Sequence, residues 1–586
     1  MNVRPPVDTL SRRIAQALGE VPADLLITDC RLVNVLSGEI HPTDVAVADG
    51  IVLGFGKYEA REVVDAGGRY LCPGFLDGHI HIESTLLTPL EFARVVAPHG
   101  TCAVVCDPHE IANVMGPAGI EYMLAASQGL PLTLYVMISS CVPATHMETS
   151  GALITAKDTA GLLSPDFPYA DRILGLAEVM NYPGVLARDP AMLGKIAAAH
   201  GRVMDGHAPL LSGRRLNAYI LAGPASDHEC TILDEAREKL RKGMHIMIRE
   251  GGTEQNLADL VPLVTPETAW RFSLVSDDRD PVELKKRGHM DELVRRAIAL
   301  GVPPVTAVSM ATVNTARYFR LHGRGAVAPG YRADLVLLDD LERVAVSRVW
   351  LAGTDIRDID AACRPAPVPP TTMRPARITS ESFQIPAKPG HIRVVGIVPG
   401  QIVTRSLILK PRLEGDLAVA DPERDLAKLA IIERHHASGN IGLGFVQGLG
   451  LAAGAIAGTI SHDSHNLIVA GVNDADMELA ARTLTTVGGG FCVVKDGRVL
   501  AVVELPVAGL MSAGCIEELE ASLENLGRAY AEISRPVTGK DPQPFMAMSF
   551  LSLAVIPELK LTDKGLVDVE RFALVDLFVT EEESGV

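Results

Sequence analysis

The sequence predicts an α/β chain: a (β/α)8 TIM barrel, a small β-sandwich assembled from two distant segments, and a C-terminal α/β domain. Three observations predict it. Eight short apolar runs, each followed by polar residues and a helix-like stretch, fall within roughly 200 residues, the spacing of repeated βα units. Strand-rich segments lie on both sides of that region, ADLLITDCRLVNV with TDVAVADGIVLGFG before it and YRADLVLLDDLERVAVSRVWLAG after it. A proline-rich joint, RPAPVPPTTMRPAR, carrying Pro365, Pro367, Pro369, Pro370 and Pro375, then separates the barrel region from the last third of the chain.

Taken in order, residues 1–23 read as a short amphipathic helix, because Leu10, Ile14 and Leu18 recur every four residues. Residues 24–72 read as strands, and Asp49-Gly50 between apolar runs is a hairpin signal. They pair with 326–365 in a composite sandwich. The barrel occupies 73–325, its strands beginning in CPGFLDGHIHIE, TCAVVCDPHE, LPLTLYVMISS, RILGLAEV, GRVMDGHAP, ASDHE, MHIMIREG and WRFSLVSDD. Residues 380–586 mix strand-like runs such as IRVVGIV, NLIVAGV and RVLAVVEL with helical ones such as DADMELAARTL and CIEELEASLENLGRAYAEI. Within them, Ile441 to Ile460 is uncharged and long enough to span a membrane, with Gly450, Gly454 and Gly458 every fourth residue. Its six glycines and the lack of a second span favour a buried helix in a tight soluble core.

Composition narrows the function. At about 150 residues per domain, 586 residues suggest three or four domains. Acids outnumber bases 72 to 54, for a formal charge of −18, and aromatic residues make up only 4%. Such a chain lacks the basic footprint and stacking platforms of a nucleic-acid binder and avoids anionic membranes. Nine scattered cysteines without a C-x-x-C imply neither a disulfide framework nor a zinc ribbon. The N-terminus has no apolar run of signal-peptide length, so the cytoplasm is the expected compartment.

Chemistry concentrates at the strand ends, where barrel enzymes place their active sites. Those ends carry His79, His81, Asp107, His109, Glu178, His207, His228, Glu250 and Asp277. In His79-Ile80-His81, two imidazoles on one strand point to the same side, toward the barrel interior. Four histidines and two carboxylates at one rim make a site for one or two divalent ions. Each histidine taken singly reads as an ordinary core or surface residue; the joint placement carries the argument. Two metals can hold a bridging hydroxide at neutral pH, and an adjacent Asp can move its proton to a leaving group. That chemistry is hydrolysis at an sp² carbon of an amide, a cyclic amide or an aminated heterocycle, and spacing alone does not choose among them.

PGFLDGHIHIE at 73–83, followed by G-x-G-x-V-x-P-G-x-x-A-D-L-V at 323–336, resembles the amidohydrolase superfamily, and within it the adenine deaminase family. The more specific blocks are HIHIEST, CDPHEIANVMG, GLAEVMN, DGHAP, SDHE, MIREG, SDDR and the C-terminal GTISHDSHNLIV. The resemblance implies a binuclear centre: His79 and His81 on one ion, His207 and His228 on the other, Glu178 bridging. Asp277 would bind the first ion and shuttle the proton, so Asp277 and Glu178 carry the catalytic roles. No lysine stands near 172–181 to serve as a carboxylated bridge; the nearest downstream, Lys195, sits in a helix-like segment. The implied reaction is water attack on C6 of adenine, giving hypoxanthine and ammonia in purine salvage, with Mn2+ or Fe2+ and with Zn2+ also suited. A homo-oligomer, a dimer, is implied as well.

Further rim residues have a functional and a structural reading. Asp107, His109 and Glu110 are candidates for an extra metal, for orienting a ligand, for purine contact, or for loop support alone. Glu83 is placed on the strand face of the two histidines, within reach of the purine. Of Arg249 and Glu250, one faces the site and the other the helix layer. His462, Asp463 and His465 resemble a metal cluster on a loop lent to the barrel mouth, whereas His435 and His436 read as surface residues. Two alternatives stand beside adenine deamination: another amidohydrolase acting on a cyclic amide or different aminopurine, and a catalytically silent barrel scaffold. The intact six-residue set argues against the scaffold.

Overall fold

The computed structural model describes residues 6–252, 255–358, 366–399, 401–535 and 544–580. Eight parallel strands form the barrel: Phe75–Ile80, Thr101–Cys106, Thr133–Ile138, Ile173–Val179, Val203–Gly206, Ser226–Asp227, His245–Arg249 and Phe272–Val275. They begin in the eight expected runs. Their residues are buried on both faces, as parallel strands covered by helices must be. Hydrogen-bonded ladders join the first five strands and the last three. Two backbone contacts close the ring. Ala225 N donates to the Met204 carbonyl (2.9 Å) between strands five and six, and Asp277 N donates to the His79 carbonyl (3.0 Å) between strands eight and one. Val105, Met137, Ala177, Val203, Met247 and Val275 point inward and pack with Phe319 as one cluster, so the barrel is filled.

The flanking strands form one continuous eight-stranded sheet. Ala23–Asn34 pairs with the hairpin strand Glu39–Ala48, and Tyr70–Pro73 pairs antiparallel with Leu335–Asp340. The expected two layers are therefore one hydrogen-bonded surface, folded over a core that includes Leu25, Ile27, Leu32, Val45 and Trp350. Asp49 and Gly50 both take positive φ (50° and 71°), as a tight two-residue hairpin requires. The N-terminal helix spans Val7–Ala17. Its periodic residues face outward, with Leu10 45% and Ile14 57% exposed.

Beyond the irregular stretch 366–379, a nine-stranded sheet dominates, with helices Asp474–Val487 and Ile516–Ala531. The segment 441–460 departs from the helix expected of it. It forms two strands, Ile441–Gln447 and Ala455–Gly458, with Gly448, Gly450 and Gly454 at positive φ between them. Gly442 and Gly444 lie two apart, so they share one strand face, and the hairpin Leu559–Asp568 packs on it. A Cβ on Gly442 would stand 1.8 Å from the Thr562 carbonyl oxygen. No helix among the described residues is long and apolar enough to cross a membrane. Seven cysteines are buried free thiols, but Cys515 is disulfide-bonded, a bridge that a scattered, odd set of cysteines conceals.

The C-terminal region covers the barrel mouth. Ser512 N donates to the Leu86 carbonyl (2.8 Å), Asn466 Nδ2 to the Thr149 carbonyl (2.8 Å), and Thr562 Oγ1 to the Met147 carbonyl (2.6 Å). Lys560 is fully buried beneath this cap, its Nζ donating to the carbonyls of Ile402 (2.8 Å) and Phe550 (2.9 Å).

The strand and helix readings of 441–460 predict opposite signs for Gly442→Ala. In a helix the change would stabilise by about 1 kcal/mol. Against the Thr562 carbonyl it must destabilise by about 1–3 kcal/mol, measured by chemical denaturation. Burial pushes the Lys560 ammonium down to about 7 from 10.5. The unfolded chain then binds the extra proton between those values, so this group's contribution to stability rises with pH from about 7 to 10.5. The slope is up to about 1.4 kcal/mol per pH unit. Lys560→Met should flatten that part of the stability profile, as read from urea titrations of both proteins at pH 7 to 10.

Candidate metal centre and active site

His79 is the fifth residue of the first barrel strand and His81 follows one residue beyond its end. The two imidazoles therefore meet the end of the eighth strand. His79 Nε2 lies 3.6 Å and His81 Nε2 3.3 Å from Asp277 Oδ1. Glu178, on the fourth strand, stands between this pair and a second one. Its Oε1 is 3.6 Å from His81 Nε2, while its Oε2 is 2.6 Å from His207 Nδ1 and 3.0 Å from His228 Nε2. The rings of His79 and His228 stack at 4.0 Å between centroids, which closes the circle. All six expected residues are thus brought to one buried place by five strand ends.

Backbone geometry fixes two of them. The Asp107 carbonyl accepts from His81 Nδ1 (2.9 Å), which leaves Nε2 turned to the carboxylates. Asp277 has φ +55°, a left-handed conformation in which a non-glycine residue is held only by its surroundings. Burial would raise its carboxyl, but the His81 hydrogen bond, His79 and Arg249 hold it well below the usual carboxylate range. Glu178 is likewise held low: burial opposes this, and His207, His109 and His228 overcome it.

The protein atoms alone leave this cluster incomplete. His79 Nε2 and His228 Nδ1 are buried without hydrogen-bond partners. Burial, with His228 and His81 nearby, keeps the His79 imidazole neutral and its lone pair available. His79, His81 and Asp277 form one group with metal-ligand spacing, and His79, Glu178 and His228 another. Four imidazoles and two ionised carboxylates in one buried place suit divalent cations.

The other rim candidates divide. His109 lies 3.2 Å from both Asp107 and Glu178, and Asp107 also accepts from Ser139 Oγ (2.9 Å). Glu110, His462 and Asp463 line the cavity above the cluster. Glu83 does not: the chain turns into a 3-10 helix at Ile82–Thr85, and Glu83 Oε1 accepts from Ile111 N (3.2 Å), so it braces the next loop. Glu250 faces the helix layer, accepting from Leu257 N (2.9 Å) and pairing with Arg296. Arg249 is the residue of that pair that faces the site. His435 is buried and donates to the Ser464 carbonyl (2.8 Å), and His436 donates to the Ser150 carbonyl (3.0 Å). His435 thereby holds the 461–466 loop, which corrects its surface reading, whereas His436 is exposed, as expected. Lys195 Nζ donates to the Ser140 carbonyl (2.6 Å) away from the centre.

Several residues of the site went unread in the sequence. Glu229, directly after His228, forms a metal-spaced group with His207 and His228, and its place in SDHE was the available signal. Phe550, Leu553, Val555, Ile556 and Ile402 form the apolar roof of the cavity. They come from segments remote in sequence, and no local pattern marks them. Phe550 stacks on His462 at 4.7 Å, and Ser552 Oγ donates to the His462 carbonyl (2.9 Å). A larger cavity of about 590 Å³ adjoins the site, with Asp278 and His462 in the shared wall.

Comparison with known proteins agrees with this arrangement. The amidohydrolase family profile matches residues 70–356, and the adenine deaminase C-terminal domain profile matches residues 401–573. The chain is 57% identical to the adenine deaminase of Oleidesulfovibrio alaskensis, over 97% of this chain and 99% of that one. It is 49% identical to the adenine deaminase of Syntrophobacter fumaroxidans, over 97% and 99%. With adenine deaminase 2 of Carboxydothermus hydrogenoformans the identity is 47%, over 95% and 98%. Matched over nearly its whole length to these relatives, the chain belongs to the adenine deaminase family of the amidohydrolases.

Proposed function

We propose that the protein hydrolyses adenine to hypoxanthine and ammonia in purine salvage, with two divalent ions held by its barrel mouth. The observation that carries the reading is the position of Glu178, one carboxylate oxygen toward His81 and the other toward His207 and His228. His79, His81, Glu178 and Asp277 would hold one ion, and Glu178, His207 and His228 the other. Mn2+ or Fe2+ is the expected metal, and Zn2+ also fits the donors. Bound there, the ions would lower the pKa of water toward neutrality.

The residues of the chain do the rest. Asp277, ionised and beside both imidazoles of the first strand, accepts a proton from the attacking water. It returns that proton to the C6 amino nitrogen as the C–N bond breaks and ammonia leaves. The roof of Phe550, Leu553, Val555 and Ile556 offers a flat apolar wall to the purine and keeps bulk water out. Glu110, Asp278, His462 and Asp463 supply the polar groups around the ring's edge. An uncharged base needs no electrostatic steering, so the net charge of −18 is compatible with this substrate and unsuited to nucleic acid. A homodimer in the cytoplasm belongs to the same reading. The outward apolar row Leu10, Ile14 and Leu18 supports the dimer.

Manganese-loaded protein should convert adenine to hypoxanthine, followed by ultraviolet absorbance; inactivity on adenine with hydrolysis of a cyclic amide would refute the assignment. Asp277→Asn should lower kcat by about 10²–10⁴-fold with metal still bound. Glu178→Gln should weaken metal binding by at least about 10–100-fold, the cost typical of losing even an outer partner of a metal site. Equilibrium dialysis with Mn2+ measures that loss.

A further inference from the structure

Resting on the deaminase reading, we infer that Arg249 is a positioning residue that fixes which oxygen of Asp277 faces the reaction. Arg249 ends the seventh barrel strand and is 6% exposed. Its Nη1 donates to Asp277 Oδ2 (3.2 Å), while Asp277 Oδ1 is the oxygen turned to His79 and His81. The two oxygens of one carboxylate are thereby given different work. Oδ2 is occupied by a guanidinium N–H, and only Oδ1 is presented to the metal-ligand imidazoles and the proton to be moved.

Arg249 is itself held from two further sides. Its Nη1 also pairs with Glu229, the residue after His228, and its Nε donates to Asn256 Oδ1 (3.0 Å). One nitrogen thus links the sixth and eighth strand ends through Glu229, which lies beside His207 and His228, and Asp277, which lies beside His79 and His81. Three fixed contacts on one planar cation set the guanidinium's orientation, and that orientation sets the rotation of the Asp277 carboxylate. Lysine could supply the charge as a point donor, but it cannot reproduce the fork that reaches Asn256, Glu229 and Asp277 together. Replacement by a neutral side chain would leave two buried carboxylates, Glu229 and Asp277, facing each other without a cation between them.

Arg249→Gln and Arg249→Lys, loaded with Mn2+ beside the wild type, test the assignment. Metal per chain is measured by elemental analysis, and kcat and KM for adenine by absorbance. The expected result is metal content within error of the wild type, KM within about threefold, and kcat reduced about 10–100-fold in Arg249→Gln. Arg249→Lys, which keeps the charge, should recover part of that loss. Three outcomes overturn the inference: unchanged kcat in Arg249→Gln, a kcat loss matched by loss of metal in both variants, or a raised KM with kcat intact. The last would make Arg249 a substrate contact. A wild-type protein inactive on adenine overturns the deaminase reading itself, and so is distinguishable from failure of the positioning role alone. If Arg249→Gln fails to fold, Arg249→Lys decides on its own: a kcat equal to that of the wild type overturns the inference, and a reduced kcat with full metal supports it.

Discussion

Closure of the barrel between its last and first strands is the constraint on which the site depends. The bond from Asp277 N to the His79 carbonyl is at once a rung of the ring and the joint between two residues of the buried cluster. It places a carboxylate and an imidazole from chain positions nearly 200 residues apart on one rim. The left-handed backbone at Asp277 follows from the same demand, because the chain must turn inward immediately after the eighth strand. The barrel interior beneath is filled by aliphatic side chains and Phe319, so the polar cluster rests on a packed floor. Rigid support of this kind holds a carboxylate oxygen 3.3 Å from one imidazole and 3.6 Å from the other without help from a flexible loop.

A second constraint acts from above. The C-terminal sheet contributes a roof of apolar residues and a loop, 461–466, whose histidine stacks under that roof. The loop is held by a chain of buried polar contacts: Glu433 accepts from the backbone N–H groups of His436 (2.7 Å) and Ser438 (2.8 Å), and His435 donates to Ser464. Each of these groups would be costly if left unpaired in the interior. The barrel thus supplies reactive groups and the C-terminal region supplies enclosure, and neither half makes a complete cavity alone.

The sequence disclosed the barrel well because its signals are local. Each strand is a short apolar run ending in a charged or imidazole side chain, and eight of them in series admit few other folds. The six central residues were legible for the same reason, since each sits at such an end. What stayed hidden depends on contacts remote along the chain. Glu83 looked like a continuation of the first strand, but the strand stops at Ile80 and the following turn rotates the carboxylate away. The segment holding Gly442 and Gly444 read as a buried helix, but it pairs along its length with Leu426–Ile432, a partner that no local pattern announces, and the hairpin at 559–568 packs on its glycine face. His435 and Phe550 gave no local sign of their roles, because the Ser464 carbonyl and the His462 ring that they meet stand tens of residues away along the chain.

The pairing of Tyr70–Pro73 with Leu335–Asp340 has a consequence for the order of events during synthesis. The entry and exit of the barrel are stitched together in one sheet, and the second partner follows the first by more than 260 residues. At roughly 5–20 residues per second, a ribosome needs about 13–50 s to deliver it. During that interval the barrel strands emerge one after another without the clamp across the barrel's ends, and Tyr70–Pro73 waits with one edge unpaired. The helical turns between strands can form at once, whereas the ring and the polar cluster at its rim are joined only late. The protein is therefore most exposed to wrong strand pairing while its middle third is being made.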